Sequence, residues 1–103
     1  MSMVHAVYFW LVDDLSEEDR RAFSQEGLQS LTEIDVVESG IWGSPAPTTK
    51  RPVTDHSFDY CLILRFASIE DQDTYQTHPE HNVFVERFSP WFKQVKVYDS
   101  IDR

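Results

Sequence analysis

The amino-acid sequence predicts an α+β domain whose strands and helices follow the order βαββαβ. Three observations lead to this prediction. Four short runs are rich in β-branched and aromatic residues, as strands are. Segments between them place apolar residues three and four positions apart, which is the spacing of an amphipathic helix. The stretch Ser44–Pro52 contains three prolines and predicts a loop between the second and third strands.

In the first half of the chain we expect a strand at Val4–Val12, a helix that begins after Ser16 and a second strand at Val36–Trp42. Ser16 is a favourable N-cap, and the acidic residues that follow it suit the positive end of the helix dipole. Side-chain alternation divides the first strand into two faces. We assign one of these faces to the side that the helices cover: His5, Val7, Phe9 and Leu11.

In the second half we expect a strand at Phe58–Phe66, a short helix after Ser68, a longer helix from about Pro79 to Gln94 and a last strand at Val95–Ile101. Proline is favourable at the first position of a helix. Together the elements form a four-stranded antiparallel sheet with helices on one face, which is the ferredoxin-like or split-βαβ plan. We expect a single domain over residues 1–103.

Apolar side chains also occupy the sheet face that points away from the helices. Such a face is larger than the apolar patches that monomers usually expose. A second copy packed sheet to sheet would cover it, so we expect an isologous homodimer in the form of an α/β barrel. The side chains that predict this interface are Val4, Ala6, Tyr8, Trp10, Cys61 and Ile63.

Charge and composition exclude several classes of function. Eighteen acidic and nine basic residues give a net charge of −9, which disfavours binding to nucleic acid. No apolar run approaches the roughly 20 residues that span a membrane, and the N-terminus does not resemble a signal peptide. The chain contains one cysteine and no metal-ligand spacing. We therefore expect a cytoplasmic protein with no metal, no cofactor and no membrane or nucleic-acid partner.

The segment between Tyr75 and His81 contains the residues best suited to chemistry. On a helix that begins at Pro79, His81 shares a face with Phe84 and other apolar residues. A phenol and an imidazole beside an apolar cavity can form an acid–base pair, because their reference pKa values are about 10 and about 6.5. Two structural interpretations stay open. His78 can be a helix cap, and His81 can be a core histidine bonded to a backbone carbonyl.

Several short motifs follow one another in the order and spacing of a known family. They are Val4–Val7 in the first strand, Ile41–Gly43 in the second, Phe66–Ser68 after the third, Tyr75–His81, Phe88–Trp91 and Val95–Asp99. On these motifs the chain resembles the stress-responsive dimeric α/β-barrel (Dabb) family over nearly its whole length. The resemblance implies homodimers whose sheets pack into a barrel, in agreement with the apolar outer sheet face.

The resemblance also implies candidate site residues. In the plant polyketide cyclases of this family, which close an aromatic ring without a cofactor, the catalytic tyrosine and histidine correspond to Tyr75 and His81, and a pocket histidine to His5. This sequence differs from those enzymes at Tyr60, where they have a histidine, and at Gly27, where they have a tyrosine. We expect the following residues to line the pocket: His5, Val7, Phe9, Phe23, Tyr60, Leu62 and Phe88.

These observations predict a stress-responsive barrel protein of unassigned activity, whose apolar cavity binds a small apolar or aromatic molecule. The alternative is a cofactor-independent enzyme, similar to a polyketide cyclase or a phenol monooxygenase, that uses Tyr75 and His81 as acid and base. A third interpretation is a structural module. An open cavity between helices and sheet favours the first two interpretations, and a filled core favours the third.

Overall fold

The computed structural model describes residues 2–103 and contains one four-stranded antiparallel sheet. Its strands are β1 (Met3–Leu11), β2 (Ser39–Gly43), β3 (Tyr60–Phe66) and β4 (Phe92–Ile101). Their order across the sheet is β2-β3-β1-β4, so that β1 and β3 are central and β2 and β4 form the edges. This order is the ferredoxin-like arrangement, and the predicted α+β fold is confirmed.

Three helical segments lie on one face of the sheet. The first, α1, passes without a break through Glu17–Arg21, a π-helical stretch at Ala22–Leu28 and Gln29–Thr32. The second and third are α2 (Ile69–Gln76) and α3 (Pro79–Phe88). The short α2 places its last turn beside the start of α3, and this junction contains the Tyr75–His81 segment.

The helices begin where the capping residues of the sequence predict. The hydroxyls of Ser16 and Ser68 each accept a hydrogen bond from the amide three residues later, at 3.0 and 3.1 Å. His78 is the N-cap of α3, where its Nδ1 accepts a hydrogen bond from the Glu80 amide at 3.1 Å. The interpretation of His78 as a helix cap is confirmed, and Pro79 follows it at the start of the helix.

The two faces of the sheet differ in burial. On the helix side the buried residues of the central strands are Met3, His5, Val7, Phe9, Leu11, Leu62, Leu64 and Phe66. The prediction that His5 lies on this side is confirmed. The helices do not cover edge strand β4, where Val95 and Val97 lie on the same face as their partners in β1 but stay exposed. The helix side is therefore open along β4.

The end of the last helix differs from the prediction. Helix α3 ends at Phe88 rather than at Gln94, and a short 3₁₀ turn leads directly into β4. Pro90 explains the difference, because it has no N–H group with which to continue the helical hydrogen bonds. Strand β4 consequently begins at Phe92 instead of Val95.

Strands β2 and β3 begin later than the sequence pattern predicts. Strand β2 begins at Ser39 rather than Val36, because the amide of Val37 donates a hydrogen bond to the carbonyl of Ile34, at 2.9 Å, in the turn that follows α1. Strand β3 begins at Tyr60 rather than Phe58, and the proline-containing loop extends to that point. Both differences lengthen a loop and leave the sheet order unchanged.

Helix α1 approaches α3 closely at Gly27. A Cβ atom at this position would lie 2.6 Å from the ring of Phe88 and 3.1 Å from the ring of Phe84. Both rings are buried, and they pack against each other in a tilted arrangement with centroids 5.3 Å apart. The sequence left open whether Gly27 makes room for packing or for a ligand. The structure shows that two phenylalanine rings fill this space.

Candidate functional site

A cavity of about 170 Å³ lies between the helices and the sheet, on the side of edge strand β4. Apolar side chains form most of its wall, and the polar residues come from β1, α2 and α3. Its lining residues are His5, Val7, Phe9, Leu31, Leu62, Tyr75, Gln76, His81, Phe84, Val85, Phe92, Val95 and Val97. Apolar walls with a few convergent polar groups are typical of small-molecule sites.

Tyr75, in the last full turn of α2, is the most deeply buried polar residue of the cavity, with 1% of its surface exposed. Its ring contacts those of His5 and His81, with centroids 5.8 and 4.9 Å away. Within residues 2–103 no group forms a hydrogen bond with the Tyr75 hydroxyl. Every fully buried side-chain nitrogen or oxygen in this part of the chain does have a hydrogen-bond partner, so the Tyr75 hydroxyl cannot be fully buried. Its accessible surface faces the cavity that Tyr75 lines. Burial raises the pKa of Tyr75, so the phenol stays protonated and can donate.

His81 lies in the first turn of α3 and is half-buried against Tyr75. Desolvation lowers the pKa of His81, and the nearby imidazole of His5 adds to this effect. The neutral form, which can accept a proton, is thereby favoured. Among residues 2–103 the histidine rings that form hydrogen bonds are those of His5, His56 and His78, so His81 bonds no backbone carbonyl, in contrast to the core-histidine interpretation.

His5 is held by Asp99, a residue that the sequence analysis did not include in the site. The Nδ1 atom of His5 lies 2.6 Å from Oδ1 of Asp99, its direct partner in the β1–β4 ladder. A neutral His5 that donates from Nδ1 keeps Nε2 as an acceptor. The strand register could have predicted this pair, because opposite residues of antiparallel strands share a face.

The structure brings together six of the nine residues that the sequence suggested for the site. His5, Val7, Phe9, Leu62, Tyr75 and His81 line one cavity. Phe23, Tyr60 and Phe88 lie outside its lining. The Phe23 ring packs between those of Tyr60 and Phe88, with centroids 5.4 and 5.5 Å away. Within residues 2–103, no three His, Cys, Asp or Glu side chains are arranged to hold a metal ion.

A second and wider hollow, of about 620 Å³, lies on the opposite face of the sheet. Four of the residues that line it are aromatic. Tyr8 contacts Phe58 and Tyr98, with ring centroids 5.0 and 6.2 Å away. The residues around this outer hollow are Ala6, Tyr8, Trp10, Asp55, Phe58, Cys61, Ile63, Lys96 and Tyr98.

Comparison with known proteins agrees with the sheet order and the helix arrangement. The sequence model described as the stress responsive A/B barrel domain matches residues 3–102. The chain belongs to this family. No curated protein matches the chain. In the part of the chain that the structure describes, no helix has the length and apolar character needed to cross a membrane.

Solved structures similar to this member of the stress responsive A/B barrel domain family cover nearly all of it. A dimeric ferredoxin-like protein of unknown function from Thermobifida fusca has 16% identity and a TM-score of 0.77, covering 99% of this chain and 92% of its own. A Dabb family protein from Mesorhizobium loti has 23% identity and a TM-score of 0.77, with 99% and 97% coverage. Hydroxynitrile lyase from Passiflora edulis has 19% identity and a TM-score of 0.74, with 99% and 94% coverage. At these identities the likeness shows the fold.

Proposed function

We propose that the chain binds a small molecule in the cavity between the helices and the sheet, with Tyr75 as the hydrogen-bond donor to the ligand. One observation supports this proposal above the others. The Tyr75 hydroxyl lines an apolar cavity and has no protein partner among the described residues, although the residue is almost fully buried. A phenol that faces an apolar cavity and has no protein acceptor is free to donate a hydrogen bond to a ligand oxygen.

The same cluster supports acid–base catalysis as a second candidate function. The rings of Tyr75 and His81 lie 4.9 Å apart, and both residues line the cavity. In this proposal Tyr75 donates a hydrogen bond to a carbonyl oxygen of the ligand. The neutral imidazole of His81 takes a proton from the adjacent carbon, and the electron pair of the broken C–H bond forms an enolate that Tyr75 stabilises. Return of the proton completes the exchange without an oxidant or a cofactor.

His5 and Asp99 have a positioning role in this proposal. The carboxylate of Asp99 orients the imidazole of His5, whose ring packs edge-on against Tyr75. Tyr75 is thereby held between two imidazoles, one from β1 and one from α3. Fixed neighbours of this kind keep a donor in one orientation and reduce the reorganisation needed when a ligand binds.

Binding can be tested with the Tyr75→Phe substitution and a matched control. A library of neutral ketones and phenols of fragment size is screened by NMR chemical-shift changes of the protein. We expect ligands to shift signals of residues around Tyr75, and their affinity to fall in the Tyr75→Phe protein. The control is Tyr98→Phe, on the outer face of the sheet. This variant should bind the ligands with the affinity of the natural protein. If no compound shifts these signals, the proposal is wrong.

Catalysis can be tested separately by hydrogen–deuterium exchange. A ketone that binds is incubated with the protein in D₂O, and loss of the proton signal next to its carbonyl is followed by NMR. His81→Gln should abolish the catalysed exchange while ligand binding persists. The control is His56→Gln, in the loop between β2 and β3. This variant should catalyse the exchange at the same rate as the natural protein. Binding without any catalysed exchange would contradict the acid–base proposal and leave the binding proposal standing.

We also propose that two copies of the chain pair through the outer sheet face. This face carries Ile41, which is 68% exposed, and the aromatic rings around the outer hollow. Similar structures from Thermobifida fusca and Bacteroides fragilis are described as dimeric. Packing of one sheet on another is the usual way to bury such a face.

A further inference from the structure

The size of the cavity limits what it can hold. Its volume is about 170 Å³. An apolar protein cavity of roughly 150 Å³ accommodates one benzene molecule, whereas drug-sized ligands occupy pockets of about 300 Å³ or more. A ligand that fits here therefore has a buried part no larger than about one six-membered ring with a small substituent.

The cavity cannot easily extend toward α1. Phe84 lines it on that side and packs against the ring of Phe88, which in turn lies close to Gly27 of α1. Leu62 of β3 closes the wall on the sheet side, and Leu31 of α1 closes it on the helix side; both side chains are nearly inaccessible. Packed interiors yield little to an oversized group, so these walls set the volume.

The other side of the cavity is open. Val85 of α3 lines it and is 39% exposed, and Val95 and Val97 line it and are 39% and 48% exposed, because the helices do not cover β4. Gln76 is also exposed, and its side-chain oxygen accepts a hydrogen bond from Gln72 at 2.7 Å. A ligand bound at Tyr75 can extend only toward these residues, which offer it mainly apolar surface.

The charge of the cavity disfavours anions. None of its lining residues is a lysine or an arginine. The carboxylate of Asp99 lies behind His5 of the lining, and the whole chain carries a net charge of −9. Burying a carboxylate or a phosphate here would leave its charge without a cation, which is strongly unfavourable.

From these observations we infer that the ligand is a neutral ketone, aldehyde or phenol with a single ring, which is buried with its oxygen at Tyr75, and that any further substituent is a flexible apolar chain directed along Val95 and Val97. This inference rests on the proposed binding function and adds the class of ligand. It excludes large polycyclic compounds, and it excludes free acids that must bury their carboxylate.

Three probes that differ in one property each can test the inference on the intact protein. Acetophenone is neutral and has one ring, 2-acetonaphthone is neutral and has two rings, and benzoate has one ring and a negative charge. Dissociation constants are measured by NMR titration at neutral pH. We expect acetophenone to bind at least about tenfold more tightly than either of the others, because of overpacking in one case and an unpaired buried charge in the other.

A variant with a larger cavity tests the size limit directly. Leu62→Val removes one methylene from the wall, and should strengthen binding of 2-acetonaphthone relative to acetophenone. Leu64→Val is the matched control, because Leu64 is equally buried on the same face of β3 but does not line the cavity. It should leave the ratio of the two dissociation constants unchanged.

The outcomes separate the inference from the proposed function. If 2-acetonaphthone or benzoate binds as tightly as acetophenone and shifts the same residues around Tyr75, the ligand class is wrong while the binding function stands. If none of the three probes, and no compound of the wider library, shifts those residues, both are wrong.

Discussion

At the scale of single residues, partial burial determines the chemistry of the candidate site. Tyr75 is almost inaccessible, so its phenol is kept protonated as a donor. His81 is only half-buried, so it loses part of its hydration but can still exchange protons with solvent. One residue is thus suited to donate and the other to accept, although they lie side by side.

The lowered pKa of His81 makes a prediction about stability and pH. In the unfolded chain the imidazole titrates near the reference value of 6.5, and in the folded protein it titrates below that value. Above pH 6.5 both states are neutral, and the contribution of His81 to stability is fully present. As the pH falls through 6.5 toward the folded pKa, the unfolded chain binds a proton first, so the free energy of unfolding decreases.

This prediction is checked by urea unfolding of the natural protein and of His81→Gln across that pH range. The free energy of unfolding of the natural protein, taken relative to that of His81→Gln, should decrease as the solution becomes more acidic. NMR titration of the His81 ring protons should also give a pKa below 6.5. A titration at or above that value would contradict the desolvation argument.

Gly27 leads to a second prediction at this scale. The added methyl group of Gly27→Ala would lie 2.6 Å from the buried ring of Phe88. Overpacking of this kind costs about 1–3 kcal/mol and should outweigh the roughly 1 kcal/mol that alanine gains over glycine in a helix. Gly43→Ala is the control, because nothing lies within 4 Å of its Cβ position. Urea unfolding should show a loss of stability for the first variant and almost none for the second.

At the scale of secondary-structure elements, alternation and capping made much of the fold predictable. The burial pattern of β1 alternates strictly, as its sequence indicates. Helix α1 is less predictable, because its π-helical stretch brings residues five apart onto one face. For this reason Leu28, at the edge of an ideal α-helical stripe that contains Phe23, is completely buried.

The candidate site was predictable only in part, for a physical reason. Periodicity gives the face of an element but not the position along the sheet at which a side chain packs. Phe23 and Tyr60 have the expected orientation but pack beyond the cavity. Asp99 was not predicted to contact the site. Its pairing with His5 depends on the β1–β4 register, and side-chain alternation does not show which residues of two strands lie opposite each other.

Capping provides a prediction at this scale. Ser68 accepts a hydrogen bond from the Asp71 amide at 3.1 Å and begins α2, the helix that ends with the Tyr75 turn. Ser68→Ala should lower the free energy of unfolding by about 1 kcal/mol. The control is Ser44→Ala in the exposed loop, which should change it little. Equal effects of the two substitutions would show that the cap contributes nothing to stability.

At the scale of the whole molecule, the two faces of one sheet carry different cavities. The helix side contains the small cavity with Tyr75 and His81, and the outer side contains the wide hollow surrounded by aromatic rings. Successive residues of β1 point alternately to the helix side and to the outer side of the sheet. His5 therefore lines the cavity, while its neighbours Val4 and Ala6 lie on the outer face. Dimerisation through the outer face would therefore leave the cavity accessible along β4.

Ile41 allows this arrangement to be tested without disturbing the monomer. It lies in β2 on the outer face, opposite Ile63, and is 68% exposed. Ile41→Glu should leave the fold intact but place a charge in the proposed interface, which is strongly unfavourable when it has no partner. Val83→Glu on α3 is the control, because Val83 is similarly exposed, at 57%, but belongs to the helix layer.

Sedimentation equilibrium at micromolar concentration measures the outcome. The natural protein and Val83→Glu should have twice the 12.1 kDa mass of one chain, and Ile41→Glu should have the mass of one. Circular dichroism should show the same secondary structure in all three. A dimeric Ile41→Glu protein would place the interface elsewhere. A monomeric natural protein would contradict dimerisation itself.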